Sequence, residues 1–94
     1  MDKEWYFKES EKRETTKDEI KYAESVVKKW EKILQDSSKY KSYSFYQFKA
    51  HALVQIDDDI NTAIHWEFSE AQPSTEQVLS LCRVRKVIEN LKEN

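Results

Sequence analysis

Glycine is absent from these 94 residues, and proline occurs once, at Pro73. Without glycine there is no phosphate-cradling glycine loop, and turns that need positive φ fall to Asn, Asp or Ser. Such a composition suits helices joined by ordinary loops better than a hairpin-rich sheet. A single cysteine, Cys82, excludes an internal disulfide and fits a reducing compartment such as the cytoplasm. No apolar run approaches the ~18 residues of a membrane span, and Met1-Asp2-Lys3-Glu4 leads into no apolar core of a signal peptide. A basic surplus is also missing. The net charge of −2 speaks against a nucleic-acid partner.

What the chain has in quantity is aromatic side chains: three Trp, five Tyr and four Phe. Their burial offsets chain entropy, so the expectation is a folded, single, all-α domain and not a disordered tail. Residues 1–15 read as an N-terminal extension whose Trp5-Tyr6-Phe7 cluster covers the bundle or docks on a partner. Residues 16–94 read as the helical domain.

Thr16-Lys17-Asp18-Glu19 has the form of a capping box, a hydroxyl at the cap and a carboxylate three residues on. From there Ile20, Ala23, Val27, Trp30 and Leu34 recur at helical steps, with Val26 and Ile33 widening the face and Lys21, Lys28, Lys29 and Lys32 opposite. That basic side is expected to be a solvated surface. Residues 36–43 read as a loop. Ser44 and Gln47 are spaced as a second capping box, ahead of a long helix expected from about Ala50 to Trp66. Leu53, Ile56, Ile60, Ala63 and Ile64 make its buried stripe, while Asp58 and His65 point outward. Residues 68–73 connect, Ser74 and Gln77 offer a third cap, and Val78, Leu81, Val84, Val87, Ile88 and Leu91 follow on one helix or two, with a break near Ser80.

No catalytic or metal-binding constellation is legible. His51, His65 and Cys82 lie too far apart for zinc-ligand spacing. Asp57-Asp58-Asp59 lacks the alternation, glycine and distal Glu of a calcium loop. Cys82 reads as a structural thiol, and the chain is not expected to be an enzyme.

One segment carries more than periodicity requires. Ser44-Phe45-Tyr46-Gln47-Phe48-Lys49-Ala50-His51-Ala52-Leu53 resembles the signature D-x-F-F-x-L-G-G-H-S-L of the acyl and peptidyl carrier protein superfamily. Phe45, Tyr46, Phe48, His51 and Leu53 match in kind and spacing. Lys49-Ala50 replaces the glycine pair, and Ala52 replaces the serine that carries phosphopantetheine. The likeness spans about residues 18–92. It implies a four-helix bundle with a long loop between its first and second helices and a short third helix. A methyl group accepts no phosphodiester, so Ala52 implies a domain without the prosthetic group, unless the natural residue is Ser. Loss of both glycines favours natural divergence over an engineered block.

The resemblance implies a non-catalytic interaction module, bound by partner enzymes or regulators through an acidic second helix. His51, Leu53, Asp57, Asp58, Asp59 and Trp66 would carry the contact. The alternative is a small acidic helical inhibitor or immunity-type protein, of phage or bacterial origin, acting on a target protein. The two separate on topology, since a simple bundle has short connections throughout.

Overall fold

The computed structural model describes residues 2–37, 43–68 and 75–93, the side chains of residue 37 and of residues 66–68 excepted. Four helices follow in order: α1 Lys3–Ser10, α2 Lys17–Ser37, α3 Phe45–Phe68 and α4 Thr75–Asn90. No strand occurs among the described residues. The all-α, four-helix expectation is met, with the count made up in its own way. The short helix stands first, and Thr75–Asn90 is one helix without a break at Ser80. A short third helix before residue 75 would fall on residues 69–74, outside the described residues.

Local chemistry sets the helix starts. The Asp2 carboxylate accepts the Trp5 N–H at 2.9 Å. At α2 the capping box closes in both directions, Glu19 N–H to Thr16 Oγ1 at 3.1 Å and Thr16 N–H to Glu19 Oε1 at 2.9 Å. At α3 the Gln47 side chain accepts the Ser44 N–H at 2.6 Å. That cap carries the helix back to Phe45, five residues before the expected start at Ala50. Ser74 lies outside the described residues.

The helices α2, α3 and α4 pack on one another, and α1 lies on α4. Ala23, Val26, Val27 and Leu34 of α2, Ile56, Ile60 and Ala63 of α3, and Val78, Val84 and Ile88 of α4 fill the core. Leu53, Ile64, Leu81, Val87 and Leu91 pack at its edge. Two apolar residues expected inside, Ile20 and Ile33, are exposed. The face of α2 is rotated so that Glu19, not Ile20, points inward. The N-terminal segment is no loose extension, because Tyr6 has no solvent exposure and belongs to the core. Its neighbour Trp5 meets it edge-on, with ring centroids 5.0 Å apart.

Candidate functional site

Two polar clusters compete for a functional role, and geometry assigns the first to structure. Glu19 and Arg83 are both buried, and Arg83 Nε lies 3.0 Å from each Glu19 carboxylate oxygen. Ser80 Oγ donates to Glu19 Oε2 at 2.5 Å. Arg83 also reaches Glu76 at 2.9 Å, and Arg13 meets the same carboxylate at 3.5 Å. Burial alone would raise the Glu19 carboxyl. Hydrogen bonds from Arg83, Ser80 and the Thr16 N–H, with the Arg83 charge, outweigh it and hold Glu19 below the ordinary 4.5. Both Glu19 carboxylate oxygens have partners. This cluster clamps α2 to α4.

Cys82 is buried, and burial pushes its thiol up to about 11. A shift of about two units from 9.0 cuts the thiolate fraction near pH 8 about a hundredfold. A maleimide or disulfide reagent is therefore expected to label Cys82 at least about that much more slowly in the folded chain than in urea, followed by mass. Equal rates would place the thiol at the surface. Among the described residues no group of three or more His, Cys, Asp or Glu side chains is placed to hold a metal.

The second cluster lies on the surface seam between α2 and α3. Trp30 of α2 stacks on His51 of α3, with ring centroids 5.1 Å apart and planes 28° from parallel. Gln55, one turn on from His51, accepts the Trp30 indole N–H at 2.8 Å and Lys29 Nζ at 2.7 Å. The Lys29 ammonium sits 5.5 Å from the Trp30 ring centroid. These contacts fix a half-buried Trp in one orientation. Ile33 lies one turn along α2 and Val54 one turn along α3; they are 42% and 61% exposed. An apolar, aromatic patch with its indole held in place is what a protein contact anchor requires.

The sequence-predicted contact residues scatter. His51 is exposed and belongs to the seam, and Leu53 packs at the core edge. Asp57 faces α4, where Arg85 Nε donates to it at 2.6 Å and Lys3 Nζ stands at 3.9 Å. Asp59 is half-buried, and Asp58 alone of the three is exposed. The side chain of Trp66 lies outside the described residues. Ala52 has no solvent exposure and sits in the core, two turns into α3.

Sequence reasoning missed Trp30 with Gln55 and Glu19 with Arg83. The second pair left a trace: Arg83 falls between Cys82 and Val84 in an otherwise apolar row. No helix among the described residues is long and apolar enough to cross a membrane. No protein-family model matches the chain, and no curated protein or solved structure matches it either.

Proposed function

We propose that the chain is a non-catalytic protein-binding module that recognises its target through the α2–α3 seam. The observation that supports this most is the Trp30 indole, locked by His51 and Gln55 beside exposed Ile33 and Val54. Ordering a large side chain before binding lowers the entropy lost on association. The groups that would be needed for catalysis are otherwise engaged. Cys82 is buried, Glu19 is shared between Arg83 and Ser80, and Asp57 is held by Arg85. This is the mode of action of small helical inhibitors and immunity-type proteins. In the carrier-like reading the contact would run through the acidic face of α3, and of that face Asp57 is already paired with Arg85.

A photo-reactive residue at position 54 tests the reading in the source cell. One discrete protein adduct is expected there, none from position 14 on the α1–α2 turn, and loss of the adduct in the Trp30→Ala variant. Labelling that is the same from both positions, or indifferent to Trp30, would refute a seam-directed module.

A further inference from the structure

Helices commonly stop at a glycine in the left-handed conformation, and basic side chains in the last turn offset the negative end of the helix dipole. This chain has no glycine, and α4 carries no basic residue in its last turn. Its last carbonyls are served from another helix instead. Lys49, one turn into α3, donates from Nζ to Glu89 O at 2.8 Å and to Leu91 O at 2.7 Å. Both are short, charge-assisted bonds, and they span 40 and 42 residues of chain. The same ammonium stands 5.9 Å from the Phe45 ring centroid.

Beyond Ile88, the last buried residue of α4, the chain is lightly held. Glu89, Asn90, Lys92 and Glu93 are exposed, and Leu91 is half-buried at the edge of the core. The Leu91 N–H reaches back to Ile88 O at 3.2 Å, which tightens the last turn, and Glu89 pairs with Arg85 within α4 itself. A segment with one half-buried apolar anchor and exposed neighbours opens more easily than the core it leans on. Leu91 is also a dividing wall. With Val27, Phe45 and Phe48 it lines one groove of about 360 Å³, and with Ile20 and Val87 it lines another of about 400 Å³. Both grooves run along α2, which supplies Ile20 to the second and Val27 to the first.

We infer that Lys49 is a latch on the end of α4, and that its release lets residues 89–93 swing out as a strap. Opening removes the Leu91 wall and joins the two grooves into one apolar trough from Ile20 to Phe45, while the bundle up to Ile88 stays folded. One ammonium thus controls how much apolar surface this side of the molecule shows. The device stands apart from the α2–α3 seam and does not rest on it.

The test is amide hydrogen exchange on the full chain, read by NMR, for the wild type, Lys49→Met and Lys49→Arg. Methionine keeps the stem of the side chain and removes its charge and donors, and arginine restores both. In Lys49→Met the Asn90 and Leu91 amides should exchange at least about tenfold faster, while those of Ile56 and Val84 change by less than about twofold. Lys49→Arg should recover most of the protection. A neutral gadolinium chelate should broaden the Val27 methyl signals more in Lys49→Met than in the wild type. Unchanged exchange at Leu91 would overturn the latch. Equal acceleration at Leu91 and Ile56 would overturn the separate strap, because Lys49 would then serve the whole bundle. Faster exchange at Leu91 with Val27 still shielded would overturn the joined trough. The wild-type chain decides the matter even where a variant does not fold. Its Leu91 amide should exchange through an opening that depends little on urea, and its Ile56 amide through one that depends strongly. Matching dependences would overturn the strap.

Discussion

Arg83→Ala should cost about 3 kcal/mol of unfolding free energy, measured by urea denaturation at neutral pH. Breaking a buried pair strands a charge in the interior, and such losses run at about 3–5 kcal/mol. The lower figure applies here because Ser80 and the Thr16 N–H still serve the Glu19 carboxylate. Against the ~5–15 kcal/mol of an ordinary domain that is a large share. Glu19→Gln combined with Arg83→Met should recover more than half of it, since the amide keeps the cap and no charge is left unpaired. A loss under about 1 kcal/mol for Arg83→Ala would show that the clamp between α2 and α4 is incidental.

The same pair sets an acid limit. Glu19 is held below its ordinary value of 4.5 in the folded chain. Its contribution is therefore complete above that value and is lost as pH falls through the lower, folded value. Wild-type stability should decline from about pH 5 downward, and Glu19→Gln should decline less steeply over that window. Parallel acid limbs would assign the decline to other carboxylates.

Tyr6→Ala is expected to cost about 3–5 kcal/mol, the range for removing a fully buried aromatic ring. Its effect should also be local. An eight-residue helix has no stability of its own in water. The remaining ties of α1 to the bundle are smaller: Phe7 packs at the core edge, Ser10 is buried, Lys3 stands near Asp57, and Arg85 lies over the Phe7 ring at 5.6 Å. An exposed pair such as Lys3 with Asp57 contributes about 0–1 kcal/mol. Without the Tyr6 ring, α1 amides should lose hydrogen-exchange protection while those of α3 keep most of theirs. Retained protection in α1 would mean that the ring is not its anchor.

The parts of this fold that were legible in the sequence are those that depend on neighbours along the chain. The Thr16–Glu19 box gave the start of α2, and the rows Ile56–Ile60–Ala63 and Val78–Val84–Ile88 gave buried faces. What escaped depends on partners far away in sequence. Ile20 and Glu19 differ by one position and about 100° of helix rotation. Arg83 and Ser80, 64 and 61 residues on, make the carboxylate the better residue to bury. Periodicity favours Ile20 and has no means of seeing those partners. Ala52 was legible as a departure from a motif, and its burial follows from its place on the α3 face between Phe48 and Ile56, one turn to either side. The seam was half visible. His51 stood out by its place in a motif, whereas Trp30 read as an ordinary core residue. Its indole N–H meets Gln55 across the interface, a partner that the spacing along α2 does not show.

The contact of α1 with α4 bears on how the molecule is made. Synthesis runs from α1 onward, yet the helix that covers Tyr6 is α4, and its Lys86 meets Glu11 across 75 residues of chain. A nascent chain that has emerged only through α3 therefore holds Tyr6, Ile56 and Ile60 without their covering helix. Non-local contacts of this kind delay folding until both partners exist. The polypeptide should stay protease-sensitive until α4 has emerged, and close once it has. A message broken before α4 would yield a product that the cell's quality control removes.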